Sequence, residues 1–312
     1  MTDANLEPIV NPIFEPETCT WQYIVADPAT KDAVIIDSVL DYNPATNTIS
    51  NTNAEKLLTF ISEHNYTIVA ILETHAHADH LTAARYLQQT LFRRGHPLAP
   101  ICIGALITSV QQTFAAKYRI PAHEYANVFD RLLKDGSTLP IGNLTCRVLH
   151  LPGHTPDHIG YLIGSNVFVG DSLFQPDVGS ARCDFPGGSA HALFRSITTK
   201  LYTLPDDYRV YVGHDYPPGG PQGRTEPRAF ATVAEQRGSN KHVRDGVEEG
   251  QFIAWREERD ASLAEPRLIH QSLQFNIRGG RLPEASKHGH RFLHVPLRVA
   301  DEVWSWGFAP QG

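Results

Sequence analysis

The chain is poor in cysteine, has no long apolar run and carries no surplus of basic residues. Its four cysteines, Cys19, Cys102, Cys146 and Cys183, stand far apart and form no C-x-x-C pair, which argues against a cysteine-rich zinc knuckle. Cys102 and Cys146 fall in apolar strand-like runs and read as inert core thiols. Cys183 sits in a Gly-rich loop near candidate chemistry, and a structural role is the expectation there too. No apolar run approaches the roughly 18 residues of a membrane span. A net charge of -7 argues against nonspecific nucleic-acid binding through a basic surface. The first residues, Met1 to Pro16, are acidic and proline-rich, without the features of a secretory or organellar signal, so a cytoplasmic location is expected. What the 312 residues do have is a hydrophobic content of 41%, enough for a packed core.

They also have a dense group of metal-binding side chains. Thr74-His75-Ala76-His77-Ala78-Asp79-His80 places three histidines and an aspartate directly after the apolar run Ile68–Leu72, which reads as a buried strand. Neutral imidazole and carboxylate suit zinc or iron. Three further places repeat the pattern of a potential ligand ending an apolar strand beside glycine. They are His154 in Pro152-Gly153-His154-Thr155-Pro156, Asp171 after Gly170, and His214 in Gly213-His214-Asp215. Singly, each is an ordinary hydrogen-bonded turn residue. Together they describe loops meeting at one end of a sheet, where such proteins build their sites.

Strand-like and helix-like segments alternate along the chain. Trp21–Ala26 and Ala33–Asp37 read as a hairpin turning at Asp27-Pro28. Helical spacing marks 53–63, 81–92, 107–118, 190–202 and 248–264, and strands are expected at 100–104, 144–151, 158–163, 167–169 and 209–212. The mixture predicts a layered protein of sheets and helices. After Tyr216 the run Pro217-Pro218-Gly219-Gly220-Pro221 breaks the pattern. Residues 1–216 are therefore taken as the core and 217–312 as a C-terminal extension packed on it, able to complete a substrate pocket.

The set T-H-x-H-x-D-H, G-H-T, G-D and G-H-D from Thr74 to Asp215, with Ile35-Ile36-Asp37 upstream, resembles the metallo-β-lactamase superfamily. The implied fold is α+β, an αββα sandwich with the metal at one edge. Within it the chain is similar to the persulfide dioxygenases, the iron branch close to glyoxalase II. Gly179-Ser180-Ala181-Arg182-Cys183-Asp184-Phe185 matches a G-x-x-R-x-D-F loop, His214-Asp215-Tyr216 matches H-D-Y, and Thr232–Arg237 with Asn240 matches T-V-x-E-x-R…N. The stretch 256–283 looks like the tail of bacterial β-lactamase-like hydrolases of sulfide-detoxification operons. The chain departs from the pattern at Cys183, where many members have threonine, and in added residues near Asp41–Asn53, expected to shift a surface loop.

The resemblance implies one Fe(II) held by His75, His154 and Asp171, a two-His-one-carboxylate face with open positions. It implies glutathione persulfide and O₂ as substrates, with sulfite and glutathione as products. His77, Asp79, His80 and His214 become surrounding groups that tune the metal. Alternatively they are ligands of a second ion, which would make a two-Zn(II) glyoxalase II-like thioester hydrolase. Arg182 is expected to grip the glutathione portion or buttress its loop. Tyr216 is expected to hydrogen-bond substrate, and Asp37 to support the metal loops as an acceptor. The expected partners are a sulfurtransferase and a second copy of the chain in a homodimer.

Overall fold

The computed structural model describes residues 6–219 and 223–304. Two six-stranded sheets face each other. The first runs Ile9–Glu15, Thr20–Ala26, Asp32–Ile36, Thr67–Leu72, Ile101–Gly104 and Arg131–Leu133 in spatial order. The second runs Thr138–Ile141, Leu144–His150, Ile159–Ile163, Asn166–Phe168, Arg209–Tyr211 and Phe230–Thr232.

The strand sequences explain the layering. Side chains alternate between faces with period two. Tyr23, Val25, Val34 and Ile36 point between the sheets, against Val148, Tyr161, Ile163 and Phe168 of the second sheet. Their neighbours Ile24, Ala26, Ala33 and Ile35 point outward, under Leu57, Leu58 and Ile61 of the helix Thr52–Glu63 and Leu87 and Leu91 of Ala84–Arg93. Covered on both faces, these strands are apolar almost throughout rather than alternating. The outer face of the second sheet buries Leu149, Val167 and Val210 beneath Leu193 of Ala190–Ser196 and Phe252 of Glu249–Ala261. The result is the expected α+β sandwich with helices on both outer faces. No helix among the described residues is long and apolar enough to cross a membrane.

The hairpin at Asp27 forms as read, with Tyr23 opposite Ile36 and Val25 opposite Val34. Three local expectations change. The helix expected from Leu81 begins only at Ala84, because Leu81 and Thr82 pair as a strand with Val39 and Leu40. The added residues near 41–53 are not a loose loop: residues 41–43 pair antiparallel with Thr48–Ser50, and this hairpin shares a small sheet with Leu81–Thr82. The helix read as 190–202 is α-helical only to Ser196 and continues as a π-turn over Ile197–Leu201.

The segment after Tyr216 is tied into the core. Phe275 joins the helix-covered face of the first sheet, while Ile269, Leu273 and Ile277 pack with Phe114, Tyr118 and Phe185.

Candidate metal centre

Five strands deliver the site. Asp37 follows Asp32–Ile36, His75 to His80 follow Thr67–Leu72, His154 follows Leu144–His150, Asp171 follows Asn166–Phe168, and His214 follows Arg209–Tyr211. Each lies past a strand's carboxyl end, so the loops meet at one edge of the sandwich. Close approach demands glycine at two points. Gly170 has φ +47°, and a Cβ there would collide with Thr74 and His158. A Cβ on Gly213 would collide with the Asp171 carboxylate.

His75, His154 and Asp171 converge, their ligand atoms all within 4.8 Å of one another. Asp171 Oδ2 lies 3.9 Å from His75 Nε2 and 3.8 Å from His154 Nε2. These gaps are too long for hydrogen bonds and suit donors arranged around a cation. The outer nitrogens fix the rings. His154 Nδ1 donates to the Arg182 carbonyl at 2.7 Å, leaving the Nε2 lone pair facing inward. His75 Nδ1 lies 3.0 Å from Thr74 Oγ1, which donates to Asp37 at 2.8 Å, so His75 Nε2 is also left as an acceptor. Burial, then the neighbouring histidines, holds His75 well below the usual imidazole range, so its ring is neutral and able to act as a metal donor.

A second group lies alongside. His77, Asp79 and His80 also bring ligand atoms within 4.8 Å. Asp79 Oδ2 is 3.1 Å from His80 Nδ1 and 3.3 Å from His214 Nε2, and His214 Nε2 is 3.5 Å from Asp171 Oδ1. Burial opposes ionisation of Asp79, but His214 and His80 overrule it and lower its pKa. Burial likewise opposes charge on His214, and Asp171 and Asp79 prevail to raise its pKa. His77 turns its Nε2 to Asp37 and Glu73, at 3.1 and 3.2 Å. Burial alone would lower its pKa; those carboxylates raise it well above the usual value.

The donor set fits a metal ion. His75 Nε2, His77 Nδ1, His80 Nε2 and Asp171 Oδ1 are buried with no hydrogen-bond partner, although buried polar atoms rarely go unpaired. All four residues belong to the two converging groups, and a cation with imidazole and carboxylate ligands would satisfy such atoms.

The backbone of the loop from His75 to His80 is pinned by carboxylates and an amide. Asp37 accepts from Thr74 N–H and Asp157 from Ala76 N–H, at 2.8 and 2.9 Å. Asp37 is thus the acceptor that its position suggested, though it also touches His77. Asp157 and His158 were not singled out in the sequence. His158 Nε2 accepts the Asp171 N–H at 3.0 Å and its ring stacks 4.8 Å from His75, which an isolated histidine in a strand-like run does not reveal.

A cleft of about 700 Å³ opens over the metal loops. Tyr216 lines it, stacked 5.8 Å from the His214 ring and half-exposed. Desolvation, then Asp79 and Asp171, raises its pKa well above the usual phenol value, so it is a neutral donor. Arg182 lines the cleft too, but its guanidinium is engaged: Asp184 accepts two bonds at 2.6 and 2.5 Å, and Ala264 O a third at 2.9 Å. Of the two expected roles, this geometry is that of a loop buttress. Lys241, Arg259 and Arg267 from the C-terminal segment also border the cleft, with no carboxylate partner among the described residues. Cys183 is buried, its thiol pushed up to about 12 by desolvation, and packs with Leu173 and Ala190 as a structural thiol.

The profile of the metallo-β-lactamase superfamily matches residues 20–214, which hold the converging histidine and aspartate loops but not the part of the cleft wall beyond His214. The chain belongs to this superfamily. It is 43% identical over 295 residues to a β-lactamase hydrolase-like protein of Xylella fastidiosa, covering 94% of this chain and 66% of that protein. The chain therefore spans just under two thirds of that relative's length. It is 44% identical over 287 residues to glyoxylase B2 of Dictyostelium discoideum, covering 91% and 94%. A mitochondrial persulfide dioxygenase of Bos taurus is 27% identical over 281 residues, covering 89% and 91%. The crystal structure of ETHE1 from Myxococcus xanthus superposes with a TM-score of 0.69 at 30% identity, over 88% of this chain and all of the other.

Proposed function

We propose that the protein is a glutathione persulfide dioxygenase with one Fe(II) per chain. The observation that carries the proposal is the convergence of His75, His154 and Asp171 into a two-His-one-carboxylate set. Fe(II), when bound there, supplies the redox chemistry that O₂ requires. Glutathione persulfide, O₂ and water would be consumed, and sulfite, glutathione and protons formed. Support also comes from the M. xanthus fold and the persulfide dioxygenase relative.

The chain's own residues then bind and orient. Lys241, Arg259 and Arg267 border the cleft and attract an anionic peptide. Tyr216 stands beside His214 as a neutral hydroxyl donor for bound substrate. Thr74 with Asp37, and the Arg182 carbonyl, hold the rings of His75 and His154 with their Nε2 lone pairs inward. A sulfurtransferase supplying or using persulfide, a homodimeric assembly and a cytoplasmic setting belong to the same proposal.

A second reading rests on a specific observation. Asp79, His80 and His214 stand within 3.3 Å contacts beside Asp171, enough donors for a second ion. Two Zn(II) ions would suit thioester hydrolysis, and the 44%-identical relative is named a glyoxylase. Metal analysis of protein purified without added metal, together with O₂ uptake on glutathione persulfide, separates the readings. One iron per chain with O₂ consumption supports the first. Two zincs with thioester turnover and no O₂ uptake overturns it.

A further inference from the structure

The loop from His75 to His80 is clamped by a side chain from far along the sequence. Asn276, the last residue of the helix Ile269–Asn276, is buried. Its Nδ2 donates to the carbonyls of His77 and His80, both at 2.8 Å, and its Oδ1 accepts the Thr82 N–H at 2.9 Å. Both amide hydrogens and the oxygen are used. The amide has only one workable orientation, since a flip would set its oxygen against two carbonyls and its nitrogen against an N–H.

The two carbonyls bracket Ala78 and Asp79, so the amide fixes the width of the turn separating His77 from His80. That turn sends His77 Nε2 back to Asp37 and Glu73 while Asp79 and His80 face His214. The helix carrying Asn276 is held by Leu273 and Phe275 in two different apolar clusters, so the amide is delivered from a rigid support. A buried carbonyl stripped of its donor is costly, so the loop has to rearrange when the amide is lost.

We infer that Asn276 is a positioning residue of the metal centre, through which the C-terminal segment sets the geometry of the turn between His77 and His80. The inference needs a metal at this site but not a particular reaction.

The test loads wild type and variants with Zn(II) and follows transfer to a chromophoric chelator, well below the unfolding temperature. Asn276→Asp keeps the shape and the acceptor but removes both donors, and Asn276→Ala removes all three bonds. Leu273→Ala, in the same helix and in the apolar cluster that also holds Ala76 and Ala78, loses core packing but leaves the three Asn276 hydrogen bonds in place. Release from both Asn276 variants should be about 10–100-fold faster than from wild type, as for outer-sphere partners of metal ligands. Leu273→Ala should lower the melting temperature at least as much as they do, with release unchanged. Wild-type release from either folded Asn276 variant overturns the inference, as does equal acceleration in Leu273→Ala. If neither Asn276 variant folds while Leu273→Ala does, the residue is a folding determinant and the positioning role is rejected. Metal release reads no turnover, so it stands or falls separately from the persulfide reading.

Discussion

The pair Arg256–Asp260 allows a quantitative prediction. Both residues are buried on the helix Glu249–Ala261, with Asp260 Oδ1 2.5 Å from Arg256 Nη2. Asp260 Oδ2 also accepts the Cys183 N–H at 2.8 Å, and Cys183 comes directly after the residue whose carbonyl orients His154. Asp260→Leu leaves a buried guanidinium without its counter-charge, a loss of about 3–5 kcal/mol. It also strands the Cys183 N–H, worth about 1–3 kcal/mol. The losses share one carboxylate and overlap, so about 4 kcal/mol is expected. At about 2.1 cal/mol/K per residue, 312 residues have an unfolding entropy of about 0.65 kcal/mol/K, giving a melting-temperature drop of roughly 6 °C. Arg256→Met alone should cost a similar amount, because it strands Asp260. The double variant Arg256→Met/Asp260→Leu should cost only about 1–3 kcal/mol, since apolar side chains replace a buried pair with little loss and the Cys183 N–H stays stranded. Calorimetry on the four proteins gives the cycle. Additive costs for the double variant would show that the pair does not act as a unit, and the burial argument would fail.

The other predictions concern the centre and the loops around it. Asp171→Ala should leave a folded protein that retains little metal by elemental analysis, because the converging set loses its carboxylate; unchanged iron content would move the ligand role to Asp79. His75→Ala should abolish metal binding, whereas His80→Ala should leave one ion with activity lowered about 10–100-fold; equal loss from both would point to two coupled ions. Arg182→Lys keeps charge but loses the two-pronged contact with Asp184, so the melting temperature should fall while KM changes little; a large KM rise at unchanged stability would restore the substrate role. His242 is depressed to about 3, by burial first and then by Lys241, Arg256 and Arg259. The unfolded chain takes up its proton near pH 6.5, so this residue's stabilising effect is complete above that pH and is lost as pH falls from 6.5 towards 3. His242→Asn should flatten the acid limb of a stability–pH curve, and an identical limb would refute the assignment.

Most of the candidate ligands were legible because strand ends announce themselves: an apolar run, then glycine, then histidine or aspartate. That pattern located His154, Asp171 and His214; a strand end without the glycine located His75, the family resemblance pointed to Asp37, and the structure brings all five to one edge. The layering of sheets and helices was legible from runs such as 23–26 and 34–36, apolar on both faces, whereas the αββα sandwich itself followed from the family resemblance. Local pattern misled where a distant partner overrode it. Leu81 and Thr82 share helical spacing with the residues after them, but Val39 and Leu40 offer strand partners, and Asn276 takes the Thr82 N–H that a helix would have left free. The residues near 41–53 were expected to shift a surface loop; instead 41–43 pair with Thr48–Ser50, on a strand whose Val39 and Leu40 pair with Leu81–Thr82.

What remained out of reach was the support of the ligands. Asp157 sits 81 positions from Ala76, and Asn276 lies 199 from His77, so no local window connects them. Arg182 shows the same limit in reverse. A guanidinium in a Gly-rich loop beside the metal suggests substrate contact, and only the placement of Asp184 and of Ala264, 82 residues away, shows it engaged. Tyr216 lies two residues from His214 on the same loop, and the structure sets its ring against that imidazole at the cleft. The candidate ligands are thus each written at a strand end of this chain, while the groups that brace their loops come from residues 157, 182, 260 and 276. Two of those four lie beyond Tyr216. Swapping the C-terminal segment should therefore change how tightly the centre holds a metal while leaving its candidate ligands in the sequence.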